Sequence, residues 1–197
     1  MLEKIIESDE FFSVKLPGVT TLLSELFGKD EFKDIPETIL NQASERGKAV
    51  HSYIEHFILT GEWEEIELAY QVYIDYFKEW YEKYKPKFIT TEQKLVSKKL
   101  GYKGIIDTVF TYQDEEGITH ICMCDWKTSS NLNRFKTMCQ LNLYALLFKE
   151  HYKNIKIDEI RTLSITKTGW RFSKFELNNK ISKEILHLIK LKRIYNE

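Results

Sequence analysis

Gly104-Ile-Ile-Asp-Thr-Val-Phe-Thr-Tyr112 and Thr119-His-Ile-Cys-Met-Cys-Asp-Trp-Lys127 are the two runs whose reading decides the fold. Both are rich in β-branched and aromatic residues, and Asp114-Glu-Glu-Gly117 between them has turn composition, so they read as the arms of a β-hairpin. A three-residue loop, Glu115 to Gly117 with Gly117 left-handed, centres the hairpin on Glu116. In that register Asp107 and Asp125 stand opposite each other, with Cβ atoms about 4.5–5.5 Å apart, where like charges are destabilising. A bound cation would remove that cost. Alternation puts Asp125 and Lys127 on one face and Cys124 and Trp126 on the other. Two carboxylates and an ammonium then meet at one point, which suits metal-dependent phosphodiester hydrolysis. The alternative is a solvated hairpin face with incidental charges. A loop of even length would shift the register by one and separate the aspartates.

Outward from the hairpin, residues 1–85 read as helical and residues 86–197 as a strand-rich core with helices, together one domain without a Gly/Pro/Ser-rich linker. Helices are expected over 20–27, 36–60, 62–84, 133–152 and 182–195, and strands over 88–97, 104–112, 119–127, 159–166 and 170–177. Within 62–84, Ile66, Tyr70, Tyr73, Phe77, Trp80 and Tyr84 form an aromatic stripe at helical spacing. Such a stripe suits either a core face or the stacking of single-stranded bases, and core packing is the favoured reading. Met138, Leu141, Ala145 and Phe148 form a second apolar stripe.

The composition narrows the class. No apolar run approaches the roughly 18–20 residues that span a bilayer, and the first residues lack signal-peptide architecture, so a cytoplasmic protein is expected. Three cysteines, Cys122, Cys124 and Cys139, argue against a disulfide framework. The net charge of −1 hides an asymmetry: residues 1–85 carry 9 basic and 18 acidic side chains, residues 86–197 carry 20 and 12. A phosphate backbone would be drawn to the basic half. Attraction between the two halves is the other account.

Gly104-Ile-Ile-Asp107, Asp125-Trp-Lys-Thr-Ser129 and Gln140-Leu-Asn-Leu-Tyr144 resemble, in order, the G-x-x-D, D-W-K-T-S and Q-x-x-x-Y motifs of the RecB-like branch of the PD-(D/E)XK nuclease superfamily. Upstream, Arg46-Gly-Lys-Ala-Val-His51 resembles its R-G-x-x-x-H helix motif, and Leu16-Pro-Gly-Val-Thr-Thr21 its P-S-V-T segment. Motif order and spacing are most similar to those of mitochondrial genome maintenance exonucleases and small phage-encoded exonucleases. The resemblance implies an α/β, restriction-endonuclease-like core, with a central mixed β-sheet flanked by helices and a helical N-terminal part. It departs from the pattern at Ile106, where the family name has proline, and at Gly18, where serine is usual.

Asp107 and Asp125 are the expected Mg²⁺ or Mn²⁺ ligands, since hard divalent cations favour carboxylate oxygen. Lys127 would orient a water or stabilise developing charge, and burial beside a cation would lower its pKa. By the resemblance, His51 is a further ligand that shifts preference toward Mn²⁺, and Glu92 completes the metal shell. Gln140 and Tyr144, four apart on one helix face, would contact the lysine, the water or a phosphate oxygen. Thr128, Ser129 and Ser130 precede a helix, where hydroxyls serve phosphate binding or capping. Arg134, Lys136, Lys167 and Arg171 are candidate contacts to a DNA backbone. The resemblance implies a deoxyribonuclease, most specifically a single-strand-preferring exonuclease of replication, recombination or repair. The alternative is a non-catalytic nucleic-acid-binding or partner-binding module on the same scaffold.

Overall fold

A computed structural model describes residues 8–28, 35–129 and 131–195. Helices α1 (Ser8–Ser13), α2 (Val19–Phe27), α3 (Glu37–Thr60) and α4 (Leu68–Tyr84) precede strands β1 (Lys87–Ser97), β2 (Tyr102–Gln113) and β3 (Thr119–Lys127). Then follow α5 (Arg134–His151), β4 (Glu159–Thr166), β5 (Gly169–Phe175) and α6 (Asn179–Tyr195). The five strands form one sheet in the order β1-β2-β3-β4-β5. All pairings are antiparallel except β3 with β4, which are parallel because α5 crosses over between them.

Each sheet face has its own core. On one face α2, α5 and α6 bury Leu22, Leu23, Leu143, Leu147, Phe148 and Ile185 against Ile106, Val109 and Ile160. On the other, α3 and α4 bury Val50, Ile54, Tyr73, Phe77 and Trp80 against Phe110, Cys124, Trp126 and Leu163. The aromatic stripe of α4 is therefore a core surface, with Trp80 in edge contact with Phe110, Trp126 and Phe172. Burying each such side chain contributes about 1.5–3 kcal/mol.

Residues 62–67 are not helical, contrary to expectation. Gly61 ends α3 in the left-handed region at φ +79°. Trp63 then folds back to stack on Phe57, with ring centroids 4.4 Å apart, and the Glu67 amide donates to the Tyr53 hydroxyl at 3.2 Å. These contacts hold the segment against α3, so α4 begins only at Leu68.

The β2–β3 loop is longer than three residues, yet the register is the one expected. Asp114 receives the Glu116 and Ile118 amides on Oδ1 at 3.0 and 2.8 Å, Gly117 is left-handed at φ +80°, and Gln113 pairs with Thr119. An odd loop centred on Glu116 keeps Asp107 in line with Asp125. The ladder, however, ends one pair earlier, at Thr108 and Cys124.

Beyond that point the sheet changes character. In β1, Thr90 pairs with Val109, which faces α5, and Leu95 faces α5 as well, although one position is even and the other odd. In β2, Tyr102 and Ile106 face α5 while Phe110 and Tyr112 face α4, all being even-numbered. A regular strand keeps positions of one parity on one face. Both strands thus exchange faces between these pairs, at the level of Glu92 and Asp107, and Glu92 itself sits in the left-handed region at φ +45°.

Candidate active site

Helix α3 is aimed at this irregular level of the sheet. His51 directs Nδ1 toward Glu92 Oε1 at 3.6 Å and Asp107 Oδ2 at 3.8 Å, while its Nε2 lies 3.1 Å from the Trp126 carbonyl. One ligand-type atom from each of His51, Glu92 and Asp107 falls within 4.8 Å of the others. Asp107 closes the gap left by the interrupted ladder, since its Oδ2 accepts the Trp126 amide at 2.7 Å. A non-glycine residue at positive φ is uncommon and costs energy, so the Glu92 conformation persists only because its surroundings demand it.

Asp125 reaches the site from the α5 side of β3. Its Oδ2 holds Lys127 Nζ at 2.5 Å, and its Oδ1 takes a long contact of 3.5 Å from Gln140 Nε2. Gln140 also reaches the Tyr144 hydroxyl at 3.3 Å. The Tyr144 ring lies so close to Gly104 that a Cβ there would meet Cε1 at 2.7 Å, which explains the glycine in physical terms. Gly104, Asp107, Asp125, Lys127, Gln140 and Tyr144 are therefore spatially continuous. Of the four expected ligands, His51, Glu92 and Asp107 turn ligand atoms toward one point, and Asp125 stands beside them with its charge met by Lys127.

The electrostatics follow from burial of so many ionisable groups. Asp107 is pushed up from 3.8 to about 7, by burial first and then by the neighbouring Asp125 charge, against the opposing pull of His51 and Lys127. Burial lowers the His51 pKa, but the Glu92 hydrogen bond and the Asp107, Glu92 and Asp125 charges override it and carry the imidazole from 6.5 to about 9. Lys127 departs from expectation. Burial does pull its pKa down, but the Asp125 and Asp107 carboxylates outweigh it, and the net shift is upward. Burial raises the Tyr144 phenol, which stays protonated as a donor.

The donor set fits a hard divalent cation. Two carboxylates and an imidazole converge, burial and the Asp125 charge push one carboxylate up to about 7, and the carboxylates hold the imidazole as a cation.

The remaining sequence candidates lie outside this cluster. Thr128 packs beside α3, with Oγ1 3.8 Å from where a Cβ on Gly47 would stand. Ser129 is exposed and accepts the Asn131 amide at 3.3 Å; Ser130 lies outside the described residues. The cap of α5 is instead Asn133, which accepts the Lys136 amide at 3.0 Å. Arg134 and Lys136 occupy the first turn of α5, and the Arg134 guanidinium sits 4.9 Å from the centre of the Phe175 ring. Gly18 stands at the start of α2 and bridges to Lys103 in the sheet. Sequence reading missed the main-chain part of Trp126, whose amide and carbonyl tie Asp107 and His51 together. No residue-type signal marks such a role.

Neither a protein-family model nor a curated protein matches the chain. Among solved structures, an alkaline exonuclease (LHK-Exo) from Laribacter hongkongensis is similar at TM-score 0.50 and 10% identity, covering 95% of this chain and 91% of that one. The same enzyme in complex with dAMP gives TM-score 0.47 at 10% identity, covering 91% and 87%. The mixed five-stranded sheet flanked by helices is thus an α/β fold similar to that of this exonuclease.

Proposed function

We propose that the protein is a divalent-metal-dependent deoxyribonuclease that hydrolyses phosphodiester bonds. The observation that carries this reading is the meeting of His51, Glu92 and Asp107 within 4.8 Å of one another, beside a Lys127–Asp125 pair 2.5 Å apart, at the mouth where β2 and β3 part. His51, Glu92 and Asp107 would hold the cation, with Asp125 joining them if Lys127 turns to the substrate. Bound there, Mg²⁺ or Mn²⁺ would supply an acidified water and would neutralise charge on the phosphate oxygens. Lys127, protonated at neutral pH, donates to a water or to a non-bridging oxygen. Gln140 holds Asp125 in place, and the protonated Tyr144 phenol offers a further donor on the same side.

Within that class, the reading is an exonuclease that prefers single strands and serves replication, recombination or repair. It is supported by the order of the five sequence motifs and by the likeness of fold to an exonuclease. The test is cleavage of 5′- and 3′-labelled single-stranded oligonucleotides, with duplex and circular controls, in Mg²⁺, Mn²⁺ or EDTA. Metal-dependent shortening of linear strands, lost in Asp107→Asn and Lys127→Ala while circles survive, is the expected result. Binding of DNA without cleavage of any substrate, unchanged by either substitution, would make the chain a non-catalytic binding module.

A further inference from the structure

A cavity of about 350 Å³ opens beside Lys127, between the β3–α5 connection and the β4–β5 turn, and it is lined by Asn131, Arg134, Ser164, Thr166, Arg171 and Ser173 among others. Among the described residues, none that lines it is acidic. Its position follows from sheet register. Lys127 pairs with Ser164, and Ser164 pairs with Arg171, so the three side chains share one face in a row across β3, β4 and β5. Successive members of such a row are about 4.8 Å apart. The parallel row below it is Asp125, Thr162 and Ser173. A polar strip therefore leads from the Asp125–Lys127 pair to Arg171 over a sheet face that is otherwise apolar.

The floor of this cavity is chemically unfinished. Ser164 is only 6% exposed, yet its hydroxyl has no hydrogen-bond partner among the described residues. Buried hydroxyls are ordinarily paired, so a donor-rich pocket with an unpaired hydroxyl at its base calls for an acceptor-rich ligand. Arg171 at one wall is exposed, and Arg134 leans over Phe175 at the other. Two guanidinium groups and hydroxyls without a carboxylate describe a phosphate site.

We propose that this cavity binds a nucleotide phosphate next to the one undergoing hydrolysis, an inference that rests on the nuclease reading above. Its occupant is either the neighbouring phosphate of the same strand or the phosphate of a released nucleoside 5′-monophosphate. Arg171 and Arg134 supply the charge, and Ser164 donates from the floor.

The test compares wild type with Arg171→Ala, Arg134→Ala, their double variant, Ser164→Val, and Lys190→Ala on the exposed surface of α6 as a control. Affinity for a fluorescent single-stranded oligonucleotide is followed in EDTA across a salt series. Removing one phosphate-binding arginine should reduce the salt slope by about 0.7, and removing both by about 1.4, with no change in Lys190→Ala. Ser164→Val should weaken binding with no change in net charge. Where cleavage is measured, KM should rise about tenfold in the arginine variants with kcat retained, as expected when substrate and transition state are bound equally by the deleted group. A nucleoside 5′-monophosphate titrated alone separates the two sources: binding that Arg171→Ala abolishes marks the released product, and a response confined to the oligonucleotide marks the strand phosphate. Cleavage intact with affinity, salt slope and KM unaltered in every variant would overturn the subsite and leave hydrolysis standing. Weakened binding in these variants, with no cleavage even by wild type, would keep the subsite and overturn the hydrolytic reading.

Discussion

The Trp126 amide donates to Asp107 Oδ2 at 2.7 Å, in the place where a backbone carbonyl of β2 would have received it had the ladder continued. A side chain thus does the work of a strand, and the same carboxylate faces His51. Asparagine at position 107 keeps an acceptor for that amide and removes the charge. Asp107→Asn should therefore fold normally and lose DNA cleavage by on the order of a hundred- to a thousandfold. Asp107→Ala should lose as much activity and in addition about 1–3 kcal/mol of stability, because the amide is left unpaired. Urea unfolding beside a cleavage assay separates the two.

Without metal, the protein should lose stability as pH rises. Asp107 binds its proton up to about pH 7 when folded but only to about 3.8 when unfolded, and His51 up to about 9 against 6.5. In both cases the folded state holds more protons across the window, so the unfolding free energy falls with pH, from roughly 4 to 7 for Asp107 and from 6.5 to 9 for His51. The combined change is on the order of several kcal/mol. Unfolding in EDTA at pH 5, 7 and 9 should show the decline, with a shallower slope in Asp107→Asn.

Cation affinity should move the other way. Mg²⁺ or Mn²⁺ must displace the protons of Asp107 and His51, so binding followed by calorimetry should tighten between pH 6 and 9 and release protons to the buffer. Affinity that is flat over that range would contradict this ligand set.

Gly104→Ala should act through Tyr144. The added Cβ would stand 2.7 Å from Tyr144 Cε1 and 3.3 Å from Val19 Cγ2, so ring or backbone must shift, at about 1–3 kcal/mol. The loss should be largely absent when the ring is also removed, in Gly104→Ala with Tyr144→Ala compared with Tyr144→Ala alone. Full additivity in a thermal-unfolding cycle would place the cost elsewhere.

Asn142 joins α5 to the segment entering α6. Its side chain donates to the Met138 and Glu176 carbonyls at 2.9 and 2.8 Å and accepts the Asn178 amide at 2.7 Å. Asn142→Ala leaves a part-buried carbonyl and amide without their partner, and should cost about 1–3 kcal/mol in chemical denaturation while leaving the candidate metal ligands untouched.

The hairpin was legible because register depends on loop parity rather than loop length, and any odd loop centred on Glu116 aligns Asp107 with Asp125. The order of strands after β1 was legible from β-branched runs and their separation by one long helical pattern. The Glu92 conformation and the exchange of faces were not, since neither Glu92 nor Asp107 is a residue type that marks a left-handed backbone or a change of side-chain parity. The start of α4 was misread because Glu62 to Glu67 has ordinary helical composition, and only the Trp63–Phe57 stack and the Tyr53 hydroxyl pull it out of register. Ser164 was invisible for another reason: in sequence it is one polar residue of a mixed strand, and its importance comes from lying beside Lys127 in the folded sheet.

Cys122 and Cys124 precede Asp125 on the opposite face of β3, and Cys139 lies across the sheet on α5. All three thiols are essentially inaccessible, and burial holds each above its ordinary pKa. The chain therefore carries its own clock for breathing of the central strand. A thiol reagent can react only after the helices lift from one face or the other, so modification rates of Cys122 and Cys124 against Cys139 time the opening of the two layers separately, with no probe added to the protein.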